Sequence, residues 1–185
     1  MAADDGPQGS FSRRSLLGLA GGLTLTLSGC GSVPSQTNTV PEVDAADALV
    51  LDGLLANENR AVAAYAHAAS LLTGRQRVLA QRIRLAEAAH VYALTGAIYR
   101  LRGTPTPAPH VYAFAARDGP GALVLAREVE DVSIAGSIDA LANLSDVKAR
   151  GIVVAVANSD AQHAVLIAQA RGLPPIPVAI VRGQV

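Results

Sequence analysis

The sequence predicts an all-α fold, an antiparallel four-helix bundle made of two helical hairpins with a long crossover between helices 2 and 3. Three observations carry this. From residue 43 onward the chain runs in long Ala- and Leu-rich segments, a composition that favours helices by propensity and by the spacing of apolar positions. The breakers are grouped at Thr73-Gly74, at Arg102-Gly103, and at Gly172 with Pro174 and Pro175, where they end helices rather than interrupt them. Finally, one spacing occurs twice: Glu58 precedes Glu87 and His90, and Glu130 precedes Asp160 and His163, with 29 and 30 residues from the lone acid to the acid of the pair. That interval is about one helix and a turn.

The first 30 residues stand outside the fold. Arg13-Arg14 lies just ahead of an apolar stretch, residues 16–27, which at 12 residues is too short to cross a bilayer core of about 30 Å as a helix. The stretch closes on Leu27-Ser28-Gly29-Cys30, which resembles the lipobox of bacterial lipoproteins. The segment is therefore expected to be a twin-arginine export signal, cleaved so that Cys30 carries lipid and holds the protein on the membrane. Export by that machinery suits a protein that folds around a cofactor before crossing. The location implied is the cell envelope, outside the cytoplasmic membrane, on its periplasmic or extracellular face. Cys30 is the only cysteine, so an intrachain disulfide and a Cys-rich metal centre are both excluded. Stability must come from packing.

Residues 31–43, rich in Ser, Thr, Asn and Pro, form a flexible tether. A single domain over 44–177 is expected next, and a tail over 178–185. The first helix is predicted over 44–72 and the second over 75–101, joined so tightly that they must be antiparallel neighbours. Residues 104–119 contain Pro105, Pro107 and Pro109, cannot continue a helix, and are long enough to run the length of a bundle. Pro120 suits the first turn of a third helix ending near 141. Asn143 or Ser145 can cap a fourth helix that reaches Arg171. Within it, Ile152-Val153-Val154 has strand character, but apolar positions at Val153, Val156, Ala164 and Ile167 continue a helical face beyond it. Residues 173–185 mix prolines with Ile and Val and suit an apolar cover for the bundle or for a partner.

Charge excludes several function classes. Of 15 basic and 15 acidic residues, two of each precede Cys30, so the rest balances at neutrality, and no basic cluster recommends nucleic acid as a partner. Arg82, Arg84, Arg100 and Arg102 fit the solvated side of the second helix, and Asp118, Glu128, Asp131 and Asp139 look like ordinary solvating charge. No phosphate-binding glycine loop, nucleophile elbow or dinucleotide signature is present.

A helical acid is more often a solvated surface residue than a ligand. Glu58, however, is followed by Val62 and Tyr65, and Glu87 lies between Ile83 and Val91, which places both beside the apolar stripe. Glu87 and His90, three residues apart, share a helix face, as do Asp160 and His163. With Glu58 and Glu130 at equal height, four carboxylates and two imidazoles meet, a mixture suited to two iron or two manganese ions. His67 and His110 lack such partners and are assigned to surface or loop. Tyr65, seven residues after Glu58, is either a hydrogen-bond donor to this centre or core filling, with Ser137 in the equivalent place of the second half.

On these residues the chain resembles the ferritin-like di-iron carboxylate superfamily, and within it the bacterial twin-arginine or lipoprotein ferritin-like domains of the desiccation-related type. The resemblance spans residues 46–177. It implies a ferritin-like bundle in which helix 1 offers Glu58, helix 2 Glu87 and His90, and helix 3 Glu130. Glu130 is preferred to Glu128 because residues 130–136 repeat the shape of 58–64. Helix 4 departs from the pattern, with Asp160 where the family has Glu; one methylene less shortens its reach. The activities implied are iron oxidation or peroxidase- and catalase-like chemistry, and a closed storage shell is opposed by the lipid tether. A homodimer is compatible with this reading. The alternative is a non-catalytic bundle for structure or stress protection with a degenerate metal site.

Overall fold

The computed structural model describes residues 42–174, and these form four helices: α1 (Glu42–Leu71), α2 (Gly74–Arg100), α3 (Gly119–Asn143) and α4 (Val147–Ala170). Each lies within about three residues of its expected bounds, and residues 152–156 are helical. Helix α1 starts two residues inside the expected tether. The signal, Cys30, the rest of the tether and the tail of 178–185 lie outside the described residues. The connection between α2 and α3 is the expected long crossover. Helix α1 packs on α2 and α3, and α3 packs on α4, while α2 and α4 meet more lightly.

Local chemistry sets the helix ends. Arg102 adopts a left-handed φ of 59°; its N–H donates to the Tyr99 carbonyl and the Gly103 N–H to that of Ile98, the paired bonds that close a helix C-terminus. Glycine is needed at 103 for another reason. A Cβ there would sit 2.7 Å from the Ala48 Cβ, so the crossover can leave α2 only by passing close over α1. Gly172, with φ 70°, ends α4 through the same pair of bonds, from Gly172 to Gln169 and from Leu173 to Ala168. Two expectations need correction. Asp118 is more than solvating charge, because its carboxylate caps α3 by accepting from the Gly121 N–H at 2.7 Å. Helix α4 is capped by neither Asn143 nor Ser145 but by Asp146, which accepts from the Ala149 N–H at 2.7 Å. Asn143 still belongs to α3, and the backbone turns extended only at buried Leu144.

That α3–α4 turn is held from a distance. Asp47, on α1 and 1 % exposed, accepts the backbone N–H of Ser145 at 3.0 Å and of Asp146 at 2.6 Å. A buried carboxylate is tolerated there because it satisfies donors that the turn leaves unpaired. Asp47→Ala is expected to destabilise the domain by about 1.5–3 kcal/mol, the worth of hydrogen bonds made to a charged acceptor. Denaturant unfolding measures this, and a loss below about 1 kcal/mol would show that the turn does not depend on Asp47.

The crossover runs alongside α1 in the same direction. Thr106 donates from its N–H and its hydroxyl to Asp52 at 2.8 and 2.6 Å. Farther on, Arg60 lies 5.4 Å over the Phe114 ring, and the His67 Nε2 is 2.9 Å from the Ala116 carbonyl. His67 is thus half-buried and stacked on Phe114 rather than free on the surface; it pins the crossover. His110 is exposed in the connection, as expected.

The core falls into two apolar clusters at different heights. One joins Tyr65, Ala68 and Leu72 to Ile83, Leu125 and Ile167; the other joins Leu51 and Leu55 to Leu94, Ile98, Leu144 and Val153. Between them lies a polar layer, which is where the predicted site residues stand.

Candidate metal centre

Each helix contributes to that layer from its middle. Glu58, Glu87, Glu130 and Asp160 are at most 1 % exposed, because acids set among Leu, Ile and Ala on the inner face are carried inward with that face. The two histidines lie nearer the surface, with side chains 13 % and 10 % exposed, on α2 and α4, which meet less closely than the other neighbouring helices.

All six sequence-predicted residues come together. His90 Nδ1 faces three carboxylates: Glu58 at 3.2 Å, Glu87 at 3.1 Å and Asp160 at 3.4 Å. His163 Nδ1 lies 2.8 Å from Glu87 and 3.5 Å from Glu130. The imidazoles stack with centroids 6.2 Å apart. Two overlapping donor groups result, one of Glu58, Glu87, His90 and Asp160, the other of Glu87, Glu130, Asp160 and His163, and within each the donor atoms lie within 4.8 Å of one another. Glu87 and Asp160 belong to both. The shorter Asp side chain therefore does reach the shared position, because α4 carries it to the centre of the layer.

One feature was left open by the sequence and another was missed by it. Tyr65 donates its phenol proton to Glu130 Oε1, which decides between the two roles open to it. Ser133 joins Ser137 in the interior, both with hydroxyls lacking a hydrogen-bond partner. Ser133, three residues after Glu130, was legible only from its place on the inner face of α3.

The electrostatics of this layer are strained without further positive charge. Burial pushes the Asp160 carboxyl up to about 8, helped by the neighbouring charges of Glu58, Glu87 and Glu130. Burial likewise raises Glu58 to about 7, the Glu87 carboxylate adding to it against the pull of His90, and Glu130 is raised chiefly by burial. Glu87 is the exception: burial would raise it, yet hydrogen bonds with His163, His90 and Glu58 bring it down to about 2. For the imidazoles burial acts downward, but hydrogen bonds to acids outweigh it, lifting His90 to about 10 through Glu58 and Glu87, and His163 to about 9 through Glu130 and Glu87. Burial and the adjacent Glu130 hold the Tyr65 phenol protonated.

These shifts set the pH dependence of the metal-free fold. Asp160, Glu58, His90 and His163 all bind protons more tightly when folded, so their contribution to stability is present at low pH and is lost as pH rises through the folded values of about 7 to 10. Glu87, shifted downward, acts in the opposite sense below its ordinary value of 4.5. The chelator-treated protein is expected to melt at its highest temperature near pH 4–5 and at steadily lower temperatures toward pH 10. A metal-free optimum near pH 7 would mean that these groups do not share a buried layer.

The donor set fits two divalent cations. Glu58 Oε1 and both Asp160 oxygens are buried without a hydrogen-bond partner, and Glu87 Oε1 and His163 Nδ1 face only each other at 2.8 Å, an arrangement whose cost would be repaid by ligation. Oxygen-rich donors with one imidazole on each side suit iron or manganese better than structural zinc.

Similar architecture appears in solved structures. A conserved hypothetical protein from Mycobacterium tuberculosis superposes with a TM-score of 0.66 at 17% identity, covering 74% of this chain and 97% of its own. A ferritin-like, diiron-carboxylate protein from Bacillus anthracis superposes at 0.58 with 23% identity, covering 68% of this chain and 94% of its own. At such identities the likeness is one of fold. No curated protein matches the sequence. The ferritin-like domain profile matches residues 25–173, and with the four-helix order and its long crossover this places the chain in the ferritin-like domain family.

Proposed function

We propose that the protein is a metal-dependent oxidoreductase of the cell envelope, exported by the twin-arginine route and held by lipid on Cys30, whose bundle binds two iron or two manganese ions. The observation that carries the metal reading is the pair of donor groups sharing Glu87 and Asp160 in a layer where buried oxygens lack partners. Glu58 with His90 would hold one ion and Glu130 with His163 the other, with Glu87 and Asp160 between them.

Bound there, such a pair of ions would pass electrons from ferrous iron to oxygen or peroxide, or from one peroxide molecule to another. The chain's own residues do the rest. The two apolar clusters close the layer above and below and keep water from it. The partly exposed edges of His90 and His163 mark the side between α2 and α4 as the approach for small molecules. Tyr65 holds Glu130 by a hydrogen bond, the kind of support that orients a ligand before an ion arrives.

The test is anaerobic loading of residues 31–185 with ferrous or manganous ion, removal of unbound metal, and elemental analysis, followed by oxygen- and peroxide-consumption assays. Two retained ions with turnover support the oxidoreductase. Retained metal without turnover leaves a binding protein, and no retained metal points to a structural bundle. Export and lipidation are read separately, from membrane association of the full chain with and without Cys30→Ser.

A further inference from the structure

Helix α2 has a second organised face, directly opposite the one that carries Glu87 and His90. Val78, Leu85, Tyr92 and Tyr99 recur every seven residues and are 46 %, 66 %, 82 % and 63 % exposed. At 1.5 Å per residue they mark a line of about 31 Å along the helix. Ala88, Ala89 and Gly96, all exposed, widen the stripe, in which exposed Gln81 is the one polar residue. An apolar line of about six turns left in water is unusual for a helix whose other side is fully used by the core.

The stripe is bordered on both sides by arginine. At 100° per residue, Arg75, Arg82 and Arg100 fall along one edge, and Arg77 and Arg84 along the other, while Arg102 follows just beyond the end of the helix. All six are exposed. The only acid on α2 is Glu87, which is buried, so this face is cationic although the chain as a whole is neutral. Among the described residues, only Arg100 of the six forms an ion pair, with Asp146 at 2.6 Å. The sequence conceals this, because the arginines are scattered along the chain and gather into rows only on the helix.

We propose that this outer face of α2 docks on an anionic lipid bilayer. A convex helix face fits a deformable planar surface, into whose headgroup layer Leu85, Tyr92 and Tyr99 can sink while the arginines reach outward to lipid phosphates. Tyrosine suits that boundary, being apolar along its ring and polar at its tip. Charge selects the lipid over a second copy of the chain. Pairing two α2 faces about a twofold axis would set each arginine row against its own copy, whereas an anionic leaflet complements both rows. Docking does not require the lipid on Cys30 or the metal, so it can fail without affecting either.

The experiment is vesicle flotation of metal-loaded residues 31–185, a segment that contains the whole described core and lacks the apolar signal stretch. The protein is expected to float with vesicles of mixed phosphatidylcholine and phosphatidylglycerol, to float far less with phosphatidylcholine alone, and to be released by high salt. Leu85→Glu with Tyr92→Glu should lower partitioning by about 10-fold or more without changing metal content or melting temperature, since both side chains point away from the core. Three results would overturn the proposal: no flotation of the wild-type segment on anionic vesicles, equal flotation of the double variant, or a solution dimer that the double variant dissolves without any vesicle binding. The last would assign the face to a second copy.

Discussion

Glu87→Ala is expected to leave the protein with no bound metal, whereas Glu58→Ala or Glu130→Ala should each retain about one ion per chain, the first group or the second having lost its private ligand. The asymmetry follows from membership: Glu87 stands in both donor groups, Glu58 and Glu130 in one each. Loss of an outer-shell partner already costs about 10–100-fold in affinity, so loss of a shared carboxylate should exceed that range for both ions. Glu87 is also the acid that stays ionised, at about 2, against the neighbours that are raised, and it anchors both imidazoles in the absence of metal. Elemental analysis of each variant after identical anaerobic loading reads the result. Equal metal content in Glu87→Ala and Glu58→Ala would refute the shared arrangement. A fold check by circular dichroism separates this from collapse, and Glu87→Gln, which keeps the volume, serves if the alanine variant does not fold.

Asp160→Asn should invert the relation between metal and stability. In the wild-type chain, metal at a free concentration of about 1,000 times its dissociation constant adds about 4 kcal/mol per ion, enough to raise the melting temperature of a domain this size by about 10 °C or more. The variant should lose that rise and yet melt higher than the wild type when both are metal-free. The sign follows from the upward shift of Asp160 from its ordinary 3.8 to about 8. Its protonated form is favoured by the fold, so its contribution to stability is present below pH 4 and lost as pH rises through 8. Asn cannot ionise and escapes that loss. The two metal-free proteins should therefore melt alike near pH 4 and diverge toward pH 9, which differential scanning calorimetry resolves. Persistence of the metal-dependent rise in Asp160→Asn would remove Asp160 from the ligand set.

The helices, the long crossover and the meeting of six polar residues were all legible in the chain, for reasons that particular residues make plain. Gly172 needs a left-handed backbone, Pro120 fits only a first turn, and acids spaced three residues from histidines must share a helix face. The helix caps were less legible. Asp118 looked like surface charge, and the α4 cap fell at Asp146 rather than at Asn143 or Ser145, because Asn, Ser and Asp compete for such positions on nearly equal terms. Asp47 gave no sign that it would bind a turn almost 100 residues away, nor His67 that it would hold the crossover.

The sequence by itself determined the four helices, their order and which residue types could meet, since periodicity and breakers are local properties that each segment carries with it. Only the tertiary structure decided that Asp160 reaches both donor groups, that Tyr65 serves Glu130, and that the outward face of α2 forms an apolar line between two rows of arginine. Those outcomes depend on the depth and rotation at which one helix packs against the next, and these are set jointly by side chains far apart in the chain.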